Sequence, residues 1–121
     1  MNLGRTTPIL RIFDLPKAKE FYVDFLGFAI DWEHRFGENF PVYLQISRGD
    51  CLLHLSEHHG DATPGSRAIV ETTGIEDFHK ELSQCDYRYL KPEIEDTEWG
   101  SRVMSVTDPF GNRLTFSQSK E

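Results

Sequence analysis

Basic residues and cysteines are both scarce in this chain of 121 residues. Lysine and arginine number 13 against 20 aspartates and glutamates, which leaves a net charge of -7. Because nucleic-acid phosphates require a basic face, this balance argues against a nucleic-acid partner and suits a neutral or cationic small ligand better. The two cysteines, Cys51 and Cys85, show no CxxC spacing, so we expect free thiols rather than a disulfide or a metal clip.

Long apolar runs are absent as well. No segment approaches the roughly 18 apolar residues that cross a bilayer, and the first residues hold no apolar stretch of signal-peptide length. The sequence therefore predicts no membrane partner and a cytoplasmic location. Its length and its hydrophobic share of 38% are ordinary for a single globular domain that spans residues 1–121.

The first half of the chain alternates between strand and helix signals. Residues 7–13 carry alternating apolar side chains and predict a strand, after which Asp14 can cap a helix with Pro16 in its first turn. Gly27 is expected to end this helix in the left-handed conformation. The apolar stripe of the helix consists of Ala18, Phe21, Tyr22, Phe25 and Leu26. Three strands are predicted next, at residues 29–35, 41–47 and 51–57.

The second half repeats this order after a link at residues 58–66 that is rich in turn formers. A strand at residues 67–72 and a helix at residues 75–84 come first. Three further strands are predicted at residues 88–91, 102–107 and 113–118. The second half thus has the same sequence of elements as the first.

A short echo in the sequence supports this internal repeat. Leu53-His-Leu-Ser-Glu57 closes the first half, and Leu114-Thr-Phe-Ser-Gln118 closes the second. We therefore predict an α+β fold made of two βαβββ modules, residues 1–57 and 67–121. Their curled mixed sheets would form a groove, a natural site for a small molecule, with the helices packed outside.

Two motifs make the chain resemble the vicinal oxygen chelate superfamily, which includes glyoxalase I, extradiol dioxygenases, fosfomycin-resistance transferases and bleomycin-resistance proteins. One motif is the first helix, with Asp14-Leu-Pro16, Glu20-Phe-Tyr22 and Leu26-Gly-Phe28. The other is Thr107-Asp-Pro-Phe-Gly-Asn-Arg-Leu114, whose Asp-Pro-x-Gly-Asn turn feeds the final strand and recurs across the superfamily. The resemblance covers nearly the whole chain and implies the fold of that superfamily.

The metalloenzymes of this superfamily hold a divalent metal at four strand positions. The resemblance puts these positions at Thr7, His54, Ala68 and Thr115. Only His54 can bind a divalent cation, whereas a catalytic site usually needs at least three protein ligands. We therefore expect no metal and no other cofactor.

Among the branches without a metal, the bleomycin-resistance proteins are the most similar. Their first strand also begins with a Pro-apolar-Leu run, here Pro8-Ile-Leu10, and a Trp-Gly pair, here Trp99-Gly100, precedes the penultimate strand. Those proteins sequester a glycopeptide antibiotic as homodimers that exchange the N-terminal strand. The resemblance implies a non-catalytic protein that binds a small molecule, such as an antibiotic, in a dimer groove, with or without strand exchange.

Five side chains are candidate groove contacts. Strand alternation places His54 on the same face as Leu52 and Ser56, opposite a more apolar face. Flat aromatic walls suit a planar, partly cationic ligand, and the aromatic candidates are Trp32, Tyr43, Trp99 and Phe110. Each of the five can instead have a structural role in the core. The four carboxylates of residues 93–98, beside Trp99, either attract a basic ligand or form a solvated loop.

Two other functions stay open from the sequence. A lactoylglutathione lyase-like enzyme, dioxygenase or thiol transferase with a divergent metal site would use His54, Glu57 or Glu71 as a general base. A regulatory dimer would keep the scaffold and fill its groove with its own side chains. The sequence shows no Ser/His/Asp set at interpretable spacing and no phosphate-binding loop.

Overall fold

The computed structural model describes residues 1–87 and 90–120 of the chain. A strand, a helix and three strands follow one another twice. The first half contains β1 Ile9–Arg11, α1 Leu15–Lys19 continued by a π-helical turn Glu20–Phe25, β2 Ala29–Arg35, β3 Val42–Arg48 and β4 Cys51–Ser56. The second half contains β5 Arg67–Glu71, α2 Ile75–Gln84, β6 Ile94–Asp96, β7 Ser101–Thr107 and β8 Arg113–Ser119. Within the described residues, no helix has the length and apolar character to span a membrane.

The first helix starts and ends as the sequence predicts, but its second part is a π-helix. Asp14 caps it, because its Oδ1 accepts a hydrogen bond of 2.9 Å from the Lys17 N–H. In the π-helical part a bond of 2.9 Å runs from the Leu26 N–H to the Phe21 carbonyl, five residues back. Gly27 then takes a φ of 78° and ends the helix. The predicted stripe is buried throughout: Ala18, Phe21, Tyr22, Phe25 and Leu26.

Each half folds into a four-stranded mixed sheet, and the two sheets have the same strand order. The first sheet runs β1-β4-β3-β2 and the second β5-β8-β7-β6. In each, the first strand of the half lies parallel to the last, and the remaining neighbours are antiparallel. The pair Ile9 and His54 therefore occupies the same place as the pair Ile69 and Thr115. This confirms the predicted mixed α+β architecture.

Strand alternation gives each sheet a buried face and an open face. The buried faces and the helices share one hydrophobic core. The first sheet contributes Leu10, Val42, Leu44, Ile46, Leu53 and Leu55 to it, and the second contributes Met104, Val106, Leu114 and Phe116. The open face of the first sheet carries Ile9, Trp32, Tyr43, Gln45 and His54, and that of the second carries Ile69, Val103, Ser105 and Thr115.

A buried polar node joins the two halves. The Asp108 carboxylate, 4% exposed, accepts a hydrogen bond of 2.6 Å from the Tyr22 hydroxyl and one of 2.8 Å from the Asn112 side-chain amide. The backbone N–H groups of Phe110 and Asn112 donate to it as well. Asn112 also donates to the Arg11 carbonyl at 2.7 Å. The Asp-Pro-x-Gly-Asn turn of the second half therefore holds the first helix and β1 of the first half.

Two expectations about the second half need correction. Its first strand after the helix is Ile94–Asp96, whereas Leu90 and Lys91 are in no strand and residues 88 and 89 lie outside the described residues. Ala68 pairs with Leu114 and packs against the core, so Ile69 and not Ala68 stands beside Thr115 on the open face. The reason is that parallel pairing fixes which residues of β5 share a face with β8.

Cys51 and Cys85 are free, as predicted.

Candidate ligand site on the first sheet

Three of the five predicted contact residues meet on the open face of the first sheet. Trp32 on β2 stacks on Tyr43 of β3, with ring centroids 6.0 Å apart and planes 12° from parallel. His54 on β4 stands edge-on to both rings, at 5.4 and 5.2 Å. We call Trp32, Tyr43 and His54 the aromatic cluster. Trp32 is 42% exposed, so a large part of its indole is accessible to a ligand.

A β-bulge brings Trp32 to this face. Ile30 pairs with Ile46 of the core face, whereas Trp32 pairs with Gln45 of the open face, because the register shifts between them. Strict alternation would have put Trp32 on the same face as Ile30. The extra residue, Asp31, accepts hydrogen bonds from the Gln45 side-chain amide at 3.2 Å and the Ser47 hydroxyl at 3.0 Å.

A chain of hydrogen bonds fixes the tautomer of His54. Ionised Asp31 can only accept, so Gln45 directs its amide nitrogen to Asp31 and its oxygen to His54. His54 Nε2, 2.9 Å from that oxygen, therefore carries a proton. His54 Nδ1 lies 2.6 Å from the Tyr43 hydroxyl and, in the neutral ring with Nε2 protonated, accepts a hydrogen bond from it. Both ring nitrogens of His54 are thus occupied by protein groups.

Carboxylates lie close to the aromatic cluster. Burial, and then the charge of Asp61, raise the pKa of Tyr43, so its hydroxyl stays protonated at neutral pH. Asp61 is fixed by a hydrogen bond of 2.6 Å from the Ser56 hydroxyl. Asp31 adds a second carboxylate through Gln45. The arrangement combines aromatic faces with negative charge, which favours a cationic ligand.

The structure does not bring Trp99 and Phe110 into this cluster within one chain. Trp99 lies in the turn between β6 and β7, is 78% exposed and has no ring contact among the described residues. Phe110 packs against the core in the turn after β7, with its ring centroid 6.1 Å from that of Phe13. The acidic run contributes β6, and its Asp96 pairs with Arg102 and with Lys120, each at 3.4 Å.

The two other suggested general bases stand apart from the aromatic cluster. Glu57 accepts a hydrogen bond of 2.9 Å from the Val42 N–H, which uses one of its oxygens to extend the sheet. Glu71 lies at the end of β5, in the second sheet, opposite Ser117. The residues that sequence reasoning missed are Asp31, Gln45, Ser47 and Asp61. Gln45 could have been found from its place two residues after Tyr43 on the same strand face.

Comparison with known proteins assigns the family. A family model described as "Glyoxalase superfamily protein" matches residues 1–121. The chain belongs to the glyoxalase superfamily. No curated protein sequence matches this glyoxalase superfamily member.

Several solved structures share the glyoxalase superfamily fold with it. A bleomycin-binding protein complexed with bleomycin is 23% identical, with 97% of this chain and 99% of that chain covered and a TM-score of 0.71. The antibiotic binding protein TnmS3 from Streptomyces sp. CB03234 is 23% identical, with 98% of each chain covered and a TM-score of 0.71. A glyoxalase-related enzyme from Clostridium phytofermentans is 21% identical, with 98% and 97% covered and a TM-score of 0.74.

The positions at which glyoxalase superfamily enzymes hold a metal do not fit one here. With the register that the structure shows, the paired positions on the open faces are Ile9 and His54 in the first sheet and Ile69 and Thr115 in the second, and Thr7 lies before β1. Both nitrogens of His54 are already hydrogen-bonded. In the part of the chain that the structure describes, no three His, Cys, Asp or Glu side chains are grouped as metal ligands would be. A divalent metal would therefore lack the donors it needs at this place.

Proposed function

We propose that this protein binds a planar, cationic small molecule, such as an antibiotic, and sequesters it without chemical change. The observation that carries the proposal is the aromatic cluster with its neighbouring carboxylates. The faces of Trp32 and Tyr43 offer negative π-density, and Asp31 and Asp61 add full negative charge nearby. The net charge of -7 attracts a cation at longer range. The bleomycin- and antibiotic-binding proteins of the same fold support the proposal.

The protonation states in the cluster favour binding over catalysis. A general base needs a free lone pair within reach of the substrate. The Nδ1 lone pair of His54 accepts a hydrogen bond from the Tyr43 hydroxyl, and the Nε2–H donates one to the side-chain oxygen of Gln45. Because the pKa of Tyr43 is raised, the phenol does not supply a tyrosinate at neutral pH. The cluster is therefore suited to holding a ligand by stacking and charge.

The proposed functional unit is a cytoplasmic homodimer. Among the described residues, no hydrogen bond or ring contact joins the two open faces, and Ile69 on the second is 77% exposed. A second copy that lays its second sheet over the first sheet would close the groove around Trp32. Exchange of the N-terminal strand, hinged at Pro8, would keep the pairing of Ile9 with His54 but form it between subunits. Sedimentation equilibrium would test the dimer.

A titration of the metal-stripped protein with bleomycin tests the proposal. Calorimetry gives the affinity and the stoichiometry, and tryptophan fluorescence reports the place. In Trp99→Phe, where Trp32 is the remaining tryptophan, we expect a saturable signal change at one ligand per chain. In the matched variant Trp32→Phe, where only exposed Trp99 reports, we expect a much smaller change. Absence of both heat and a fluorescence change at saturating bleomycin would reject this antibiotic as a ligand, and equal signals in both variants would reject the site.

A second candidate function rests on the short contact between Tyr43 and His54. Their hydroxyl and Nδ1 atoms are 2.6 Å apart, a distance at which a proton can pass between them during a reaction. A glyoxalase-type or related enzyme with a divergent metal site would use this pair. It would form product from a hemithioacetal substrate, and His54→Ala would abolish that turnover. Such a result would replace sequestration as the function.

A further inference from the structure

A hollow of about 430 Å³ lies at one end of the first sheet and shares no lining residue with the aromatic cluster. Arg11, the last residue of β1, and Phe13, two residues later, form one side. The connection between β2 and β3, with Glu38 and Phe40, forms the other. The hollow is open to solvent, so a small molecule can reach its walls. Glu57, one of the suggested general bases, is among its lining residues, but the proposed cation site does not use the hollow.

Arg11 presents a guanidinium at the hollow that forms no ion pair among the described residues. Its Nε donates to the Ile12 carbonyl at 3.4 Å, and its Cζ lies 4.5 Å from the centroid of the Phe13 ring. The two contacts orient the planar group, while its two terminal nitrogens have no hydrogen-bond partner among the described residues. The ion pairs of the described chain involve other cations, namely Lys19, Arg48, Arg102 and Lys120. Two parallel N–H donors are thus held ready for a planar acceptor.

Arg35 supplies a second unpaired guanidinium. One of its terminal nitrogens donates to the Glu38 carbonyl at 3.2 Å, which ties the side chain to the β2–β3 connection. No carboxylate among the described residues forms an ion pair with it. Positive charge from both sides of the hollow is therefore left for a bound anion.

Two phenylalanines give the hollow apolar, planar walls. Phe13 is 54% exposed and Phe40 is 56% exposed, which is unusual for such large apolar side chains. A ligand that covers both rings would remove apolar surface from water. The ligand should therefore carry a flat apolar body next to its negative group.

Two glutamates in the lining limit the negative charge that the hollow accepts. Glu57 has one oxygen bound to the Val42 N–H and lines the wall, and Glu38 lies beside Arg35. Two guanidiniums against two carboxylates leave no net positive charge at the hollow, which disfavours a dianion. A monoanion that engages the Arg11 fork at close range gains more than a phosphate does.

We propose that this hollow is a second binding site, which takes a small planar monocarboxylate between Phe13 and Phe40, with the carboxylate on the Arg11 guanidinium and Arg35 nearby. The chemical class is that of a benzoate-like acid. The site differs from the aromatic cluster in charge, since it selects an anion where the cluster selects a cation. Binding in the two places is expected to be independent.

Sodium benzoate is the probe, followed by NMR on the ¹⁵N-labelled full chain. We expect saturable shifts of the Phe13 and Phe40 amides and of the Arg11 and Arg35 Nε–H signals, with a Kd on the order of 1 mM. Benzamide, the neutral isostere, and inorganic phosphate should not saturate these signals. Arg11→Met and Arg35→Met should each weaken benzoate binding at least about tenfold.

Arg67→Met is the matched control, because Arg67 is also an exposed arginine, on the second sheet. It removes the same charge and should leave benzoate affinity unchanged, as should Trp32→Phe in the aromatic cluster. Arg35 is exposed, so its variant tests the site even if Arg11→Met reduces folding. The proposal is overturned if benzoate leaves the four signals unmoved, if benzamide binds equally well, or if Arg67→Met weakens benzoate as much as Arg35→Met.

Discussion

The two sheets share a framework but differ on their open faces. At equivalent places, a cross-strand hydrogen bond joins His54 to Gln45 in the first sheet at 2.9 Å and Thr115 to Ser105 in the second at 3.0 Å. In the first sheet the bond continues to Tyr43 and to Asp31. In the second no further bond of these two hydroxyls is found among the described residues. The repeated fold fixes the position, and the side chains on one copy make it a candidate site.

In the buried interior, the two halves bond to each other, whereas on the open faces each carries its own set of side chains. There the two halves are complementary, since the Asp108 node of the second half bonds to Tyr22 and to the Arg11 carbonyl of the first through Asn112. Changes in the node should therefore affect stability, and changes on the open face of the first sheet should affect binding. The four predictions below test this division.

Breaking the node should have the largest effect. Asp108→Ala removes the acceptor of the Tyr22 hydroxyl, of the Asn112 side-chain amide and of the backbone N–H groups of Phe110 and Asn112, and each of these groups that stays buried without a partner costs roughly 1–3 kcal/mol. We expect a loss of about 3 kcal/mol or more in the free energy of unfolding, measured by urea denaturation. Asp108→Asn, which keeps one acceptor oxygen, should lose less. A change below about 1 kcal/mol in Asp108→Ala would mean that the node does not join the halves.

Removing the indole of Trp32 should abolish the difference in ligand binding between the two open faces. Trp32→Ala deletes the stacked, accessible ring and is expected to weaken bleomycin binding roughly tenfold or more, as measured by calorimetry. Ile69→Ala, the change of an exposed apolar side chain on the second face, should weaken it less than about threefold. An equal loss in both variants would show that the ligand contacts the two faces alike.

The node should also have a signature in alkaline stability. Burial first, and then the charge and hydrogen bond of Asp108, raise the pKa of Tyr22 in the folded state. The folded chain therefore holds the phenolic proton more tightly than the unfolded chain, whose tyrosines ionise near pH 10. This contribution to stability is present below about pH 10 and is lost as pH rises through the folded pKa.

Tyr22→Phe removes that ionisation, so stability should fall less between about pH 9 and pH 11 than in the parent chain. At neutral pH the variant should lose about 1 kcal/mol for the missing hydrogen bond. Tyr43→Phe is the comparison, because the pKa of Tyr43 is also raised but its side chain is less buried, so its alkaline slope should change in the same direction by a smaller amount. An unchanged alkaline slope in Tyr22→Phe would assign the pH effect to other groups.

Most elements could be predicted because their apolar periods decide between helix and strand. The helix Ile75–Gln84 and the strand Ala29–Arg35 have the predicted bounds. The strand Ile94–Asp96 was missed because two of its three residues are acidic, so its sequence has no apolar pattern typical of a strand. Its pairing with β7 stabilises the extended conformation instead. The π-helical turn was missed because its apolar spacing also fits an ordinary helix.

The candidate site was only partly predictable, for reasons of register. His54 and Tyr43 follow from strand alternation, which puts them on one face. Trp32 reaches that face through a β-bulge that the residue pattern does not predict. The same bulge makes Asp31 part of the site. The error at Ala68 has the same origin, because a one-residue offset in a strand reverses its faces.

The smallest expected effect concerns the cross-strand hydrogen bond that each sheet has at the equivalent place, which in the first sheet joins His54 to Gln45. In the parent chain the Gln45 carbonyl accepts the His54 Nε2 proton, so ¹⁵N side-chain shifts should show the Nε2–H tautomer. In the Nδ1–H tautomer the Nε2 lone pair would face the Gln45 oxygen and be repelled by it. Gln45→Leu removes this repulsion together with the acceptor, so both tautomers should appear. The free energy of unfolding should change by no more than about 1 kcal/mol. Ser105→Ala, at the equivalent place in the second sheet, should leave the histidine spectrum unchanged, and an unaltered tautomer in Gln45→Leu would show that Tyr43 alone fixes the ring.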